Sequence, residues 1–380
     1  MSKYNIMDYV LLGLGLMTIL LGTTIRTEAR PAKEIVVYIR TWELAKGGYW
    51  KAEDIQGEQL TTLNIAFAQI VEGTNLAINN DFLSLFEEIA TLHKRYPHMR
   101  INLSIGGWGG DGFSDMALTS ETRQAFIQNI MEWVTTYGFN GIDVDWEYPV
   151  SGGWGEIKAR PEDKQNFTAF MTELRAALDA LGLKNGQRYE LSFAASVSSD
   201  YLTWIEPKKL VEVVDYVNVM CYPFYGSWSE TTGHLARLYA HPDRLNDLSC
   251  DSGIQRFLNA GFLAHMLVLG VPFYGHAWKG VANENNGLYQ EGIYDGDKTY
   301  SDILELKEKG EFTRYWDDTA KAPYLYDGDT WITYEDEQSL TEKLNYISNK
   351  GLRGIMAWEY AHDMKGVLLD GINKNVFRNE

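Results

Sequence analysis

Phe139-Asn140-Gly141-Ile142-Asp143-Val144-Asp145-Trp146-Glu147-Tyr148-Pro149 places an acid at every second position, with Ile, Val and Trp between them. On a β-strand, period two sends all three carboxyls to one face and the apolar side chains to the other. If the strand belongs to a barrel, the acidic face is the interior. Three inward carboxyls are prohibitively costly unless they share protons or do work. They also sit towards the strand's C-terminal end, where barrel enzymes carry their catalytic groups.

The chain on either side supports a barrel. Short apolar runs recur at Ile35–Ile39, Leu63–Ile70, Ile101–Ile105, Gly141–Trp146, Tyr189–Ala195, Tyr216–Met220, Met266–Val271 and Gly354–Trp358. Between them, apolar residues return at helical spacing. Phe82, Leu85, Phe86 and Ile89 mark one helix, and Phe126, Ile130, Trp133 and Val134 another, with Gly138 placed for its C-cap. A third carries Phe167, Phe170, Met171, Leu174 and Leu178, with its stop expected near Gly182, and a later one carries Leu340, Leu344 and Ile347. Continuous apolar strands alternating with helices imply a parallel sheet covered on its outside. Eight such units predict an α/β fold of the (β/α)8 TIM-barrel type. The rival, a doubly wound open sheet, usually follows its first strand with a glycine-rich phosphate loop. Arg40-Thr41-Trp42-Glu43 is not one.

One stretch breaks the rhythm. Trp278 to Thr333, between the seventh and eighth strands, is rich in Tyr, Asp and Gly, with a helix-like piece near Ser301–Lys309. It is too long for a simple βα loop. It reads as a small α+β insertion (residues 278–333) within a catalytic barrel of residues 30–380, forming one wall of a groove. The last strand is followed by room for one closing helix, so accessible chains are expected as substrate over a crystalline polymer.

Composition narrows the partners. A net charge of −18 argues against nucleic acid, whose phosphates need Lys and Arg. The 12 Trp and 23 Tyr offer flat faces on which sugar rings stack, although a large barrel also buries many aromatics. Two cysteines, Cys221 and Cys250, make no disulfide framework, and free buried thiols are expected. No Cys–His cluster has metal-ligand spacing, so neither a metal nor a cofactor is expected. Residues 1–29 read as a signal peptide. Val10 to Leu21 is apolar but too short to span a bilayer, and Thr27-Glu28-Ala29 offers small residues for cleavage. Secretion to the exterior or periplasm follows, with no membrane contact once the leader is removed; an uncleaved anchor is the alternative. The expected state is a monomer.

Clustered carboxyls cannot all ionise, because repulsion raises the pKa of at least one. Glycoside hydrolysis needs a carboxylic acid still protonated near the working pH. Glu147, outermost of the three, is the natural proton donor. Asp145 would hold and retune it by hydrogen bonding, with Asp143 behind.

The segment resembles the D-G-x-D-x-D-W-E signature of glycoside hydrolase family 18, the chitinases. Ser104-Ile105-Gly106-Gly107-Trp108 is similar to the family's S-x-G-G motif on the third strand, and Met220-Cys221-Tyr222 to its M-x-Y motif on the sixth. Gly270-Val271-Pro272-Phe273-Tyr274-Gly275 resembles the segment opening its α+β insertion, and Met356-Ala357-Trp358-Glu359 the end of its eighth strand. The resemblance covers nearly all the chain after Arg30, with five motifs in order. It implies cleavage of β-1,4-linked N-acetylglucosamine in chitin or chitooligosaccharides. It also implies a substrate acetamide acting as nucleophile, retention, and no protein nucleophile. By the same resemblance Asp145 would steady the acetamide and Tyr222 would donate to its oxygen. Trp358 would floor the subsite on the non-reducing side. Tyr38, Phe67, Trp108, Met220, Tyr274 and His276 would line the pocket.

Three positions depart from the family pattern. Asn140 replaces the first aspartate of the signature, where an architectural role is expected. Pro223 stands where many members have Asp, and His276 where many have Arg. Losing one partner of that pair would strand a buried charge. Losing both reads as a retuning that holds the acetyl group less firmly. The alternatives are an endo-β-N-acetylglucosaminidase acting on other glycans, and a weakly active chitin-binding lectin. Lectin relatives typically lose the final glutamate of the signature, and Glu147 is present. Trp204 and Trp228 are candidates for stacking on more distant sugars.

Overall fold

A computed structural model describes residues 33–376, other than 80 and 245–247. The signal peptide expected over residues 1–29 falls outside the described residues. In chain order the strands are β1 Glu34–Arg40, β2 Thr62–Val71, β3 Asn75–Ala77, β4 Arg100–Gly106, β5 Gly141–Asp145, β6 Glu190–Ser196 and β7 Tyr216–Met220. They continue with β8 Leu267–Pro272, β9 Tyr274–Lys279, β10 Ile293–Thr299, β11 Thr313–Asp317, β12 Ala322–Tyr326, β13 Trp331–Thr333 and β14 Gly354–Trp358.

Eight of these strands close on themselves. The parallel order runs β1-β2-β4-β5-β6-β7-β8-β14 and returns to β1, where Val36 pairs with both Thr62 and Met356. This is the (β/α)8 TIM barrel, with the antiparallel β3 hooked onto β2. Closure leaves the barrel strands no free edge.

Strand parity divides each strand between two cores. Ile35, Val37 and Ile39 of β1, and Ile142 and Val144 of β5, pack outward beneath the helices. Val36 and Tyr38 turn inward to meet Ala66, Tyr216, Val268 and Met356. The same alternation turns Asp143 and Asp145 into the interior.

The covering helices start and stop where backbone chemistry allows. Ser120–Tyr137 begins on the Thr119 hydroxyl, which accepts from the Thr122 N–H, and ends at Gly138 with φ 76°. The helix Asp163–Asn185 runs through Gly182 and is capped by Gly186 instead. Gly182 is buried there because a β-carbon would meet the Gln187 carbonyl oxygen at 2.5 Å. Its absent side chain reports a close approach, which sequence alone presents as a stop.

A second sheet, antiparallel in the order β10-β9-β13-β12-β11, is built from chain between β8 and β14. It begins at Tyr274, ahead of Trp278, and the helix Tyr300–Lys309 lies between β10 and β11. Trp278, Trp331, Tyr324 and Tyr326 form its own apolar cluster.

Candidate active site

The three alternating acids form a column up the barrel axis. Asp143 is fully buried, Asp145 is 4% exposed and Glu147 8% exposed. Asp143 is the base of the column and accepts four hydrogen bonds. Tyr38 Oη and Ser104 Oγ donate to Oδ2 at 2.7 and 2.8 Å. Ser192 Oγ and Asn218 Nδ2 donate to Oδ1 at 2.7 and 3.1 Å. These donors come from β1, β4, β6 and β7, so Asp143 ties half the barrel together.

Asp145 differs. Its Oδ1 is buried with no hydrogen-bond partner among the described residues. The hydrogen bond expected from Asp145 to Glu147 is not among the contacts Asp145 makes, so the two acids interact through space. Burial first, then the charges of Glu147 and Asp143, hold the Asp145 pKa well above the ordinary carboxylate value. Burial also raises Glu147 to about 7, against the opposing pull of a hydrogen bond from Tyr148. Two acids this close titrate as a pair, and the pair retains a proton near neutral pH.

Glu147 and Asp145 open into a cavity of about 840 Å³. Tyr38, Phe67, Trp108, Met220, Tyr222, Tyr274, His276 and Trp358, all singled out from sequence, line it. Asp143 does not; it lies beneath. Burial holds the Tyr222 pKa well above its ordinary value, so the phenol stays a donor, and its Oη lies 3.3 Å from Met356 Sδ. Trp358 stacks on Phe67 with centroids 5.4 Å apart at 15°. Below it, Arg40 Nε donates to Glu359 Oε1 at 2.7 Å, which joins the ends of β1 and β14. Peptide bonds Ala66–Phe67, Glu147–Tyr148, Tyr222–Pro223 and Trp358–Glu359 are cis.

Two of the three departures from the family pattern, Asn140 and His276, find polar partners. Asn140 Oδ1 accepts from the Ile101 N–H at 2.8 Å, and the Asn140 N–H donates to the Ile101 carbonyl at 2.7 Å. Pro223 and His276 both line the cavity. His276 Nδ1 lies 2.7 Å from the Tyr225 carbonyl oxygen, and Nε2 lies 3.2 Å from Asp297. Asp297 faces His276 across the β9–β10 ladder. The hydrogen bond to His276 leads in holding the Asp297 pKa low, so a carboxylate from β10 stands beside the imidazole.

Several site residues escaped the sequence reading. Tyr148 directly follows Glu147 and carries the hydroxyl that faces it. Trp42 stacks on Phe67 at 6.4 Å and lies 6.3 Å from Trp358, extending that aromatic floor. Met356 and Asp297 also line the cavity. Trp228 lines it too, whereas Trp204 packs against Tyr148 and Tyr201 as a buttress. Cys221 and Cys250 are both free and buried.

Comparison with known proteins agrees with this geometry. Residues 34–363 match the model of glycosyl hydrolases family 18. Chitinase A1 of Niallia circulans is 36% identical over 342 residues, which cover 82% of this chain and 49% of that one. The chain thus spans about half the length of that relative. Class V chitinase of Arabidopsis thaliana is 32% identical, covering 84% of this chain and 86% of its own. Among solved structures, a family 18 N-acetylglucosaminidase from Paenibacillus barengoltzii superimposes with a TM-score of 0.80 at 35% identity, covering 90% of this chain and 99% of that one. A closed barrel, an acid column opening into an aromatic cavity and a match over most of the chain lead to one assignment: the chain belongs to glycosyl hydrolases family 18.

Proposed function

We propose that this enzyme cleaves β-1,4-linked N-acetylglucosamine chains with retention, using the substrate's acetamide as nucleophile. The observation that carries the reading is the buried Glu147–Asp145 pair lining one cavity with Tyr222 and Trp358. An acid beside a carboxyl whose buried Oδ1 has no hydrogen-bond partner, with a tyrosine hydroxyl in the same cavity, suits a reaction in which the substrate's own acetamide is held and acts as nucleophile.

The Glu147 carboxylic acid gives its proton to the glycosidic oxygen. The C1–O bond breaks, and its electron pair leaves with that oxygen. The acetamide carbonyl oxygen bonds to C1 from the opposite face and closes an oxazolinium ring. The unpartnered Oδ1 of Asp145 accepts the acetamide N–H and orients the group towards C1. Tyr222 donates its hydroxyl to the acetamide oxygen. Glu147, now a carboxylate, takes a proton from water as that water attacks C1; the ring C1–O bond breaks, its electron pair returns to the acetamide oxygen, and the β configuration and the starting acid are restored.

The test is the anomeric form of fresh product. A chitin hexamer is digested and followed by proton NMR before mutarotation. The β anomer appears first if the reading holds; an initial α anomer overturns it. The likeness to the P. barengoltzii N-acetylglucosaminidase supports a second reading, release of single sugars from a chain end. Monomer as the dominant early product from the same digest would favour it over dimer and longer fragments.

A further inference from the structure

Four tryptophans remain more than a third exposed: Trp42, Trp108, Trp154 and Trp228. The first lies on the aromatic floor beside Trp358, and Trp108 and Trp228 line the cavity. Trp154 lies outside the lining, yet 68% of it faces solvent. Single exposed apolar residues are ordinary. This one is not isolated. Its ring edge rests over Gly109, where a β-carbon would come 3.4 Å from Cε3. Gly109 directly follows Trp108, itself 60% exposed. Trp154 therefore lies against the backbone that directly follows Trp108, with Trp108 in the cavity lining and Trp154 outside it.

The loop carrying Trp154 is fastened. Gly153 lies so close to Glu147 that a β-carbon would meet its carbonyl oxygen at 2.1 Å. The Gly152 N–H donates to the Tyr148 carbonyl at 3.0 Å. Further on, Lys158 Nζ pairs with Asp115 at 2.9 Å, and the Lys158 N–H donates to Asp111 Oδ1 at 3.3 Å. Both acids belong to the segment that follows Trp108. The loop is thus tied to the catalytic strand at one end and to its neighbour at the other. An indole held this way gives up little freedom when a ligand stacks on it.

We propose that Trp154 continues the aromatic surface of Trp108 and holds the part of a β-1,4-linked N-acetylglucosamine chain that projects beyond the cavity. The occupant is the same chain that fills the cavity, because Trp108 is common to both surfaces. The enzyme then discriminates by chain length, favouring substrates long enough to reach Trp154. This rests on the substrate reading given above.

The test is binding in a Glu147→Gln background, where turnover does not consume ligand. Titration calorimetry compares chitin dimer and hexamer. Trp154→Ala should lower the hexamer-to-dimer affinity ratio about fivefold to tenfold, the size of one aromatic contact. Trp154→Phe, which keeps a flat face, should restore most of it. Leu183→Ala, an exposed apolar residue on the helix Asp163–Asn185, should leave the ratio alone. An unchanged ratio in Trp154→Ala, with the hexamer still bound, overturns the length-sensing surface alone. Absence of hexamer binding in every variant overturns the substrate reading along with it.

Discussion

Glu147→Gln should keep its fold and lose at least about 10²–10⁴-fold in kcat/KM on a fluorogenic chitobiose glycoside, with KM little changed. Gln matches Glu in shape and in hydrogen-bonding reach but has no proton to give. The remainder of the cavity is untouched by the change, so substrate still binds and the leaving oxygen departs unassisted. Retained activity in Glu147→Gln would remove Glu147 from the role of acid. A loss confined to KM would make it a binding group instead.

Asp143→Ala should have the largest effect on stability of any single change at the column. The carboxylate is fully buried and accepts from Tyr38, Ser104, Ser192 and Asn218. Alanine leaves those four donors without their acceptor in a site where water is excluded. Each buried unsatisfied group costs about 1–3 kcal/mol, and several would be created at once. The expected loss is on the order of 3–5 kcal/mol, read as a lowered denaturation midpoint. Activity should fall as well, because Asp143 contributes to the raised pKa of Asp145. Asp143→Asn should lose less stability, since it retains one acceptor while its amide nitrogen faces donors. A midpoint within about 1 kcal/mol of the parent in Asp143→Ala would show that the donors find water or one another.

The barrel was legible because parallel strands buried on both faces read as unbroken apolar runs. All eight runs became barrel strands. The acid column was legible for a related reason: period two on β5 turns Asp143 and Asp145 to the interior, and Glu147, two residues past the strand's end, continues into the same cavity. What stayed hidden depends on contacts distant in sequence. Asp297 meets His276 only because β9 and β10 pair in one particular register. Trp42 lies in a loop, where a single tryptophan has no periodicity to mark it. Trp204 was a candidate sugar platform, yet it packs under Tyr148, because loop position alone does not say which way a ring turns. The Asp145 hydrogen bond was expected from proximity, whereas the structure leaves Oδ1 unpartnered. That empty acceptor is more useful to an incoming acetamide N–H than a satisfied one.

Burial raises both Glu147 and Asp145, so the pair is expected to hold its catalytic proton near neutral pH. The most direct measurement is kcat/KM on a chitotriose glycoside across about pH 5 to pH 9. Because the protonated form is the active one, activity must decline as pH rises. The expected alkaline limb bends near an apparent pKa of about 7 and then falls about tenfold per pH unit. A profile flat to about pH 9, or one already falling at about pH 5 as an ordinary glutamate of pKa about 4.3 would dictate, would show that the pair does not supply the catalytic proton near neutral pH.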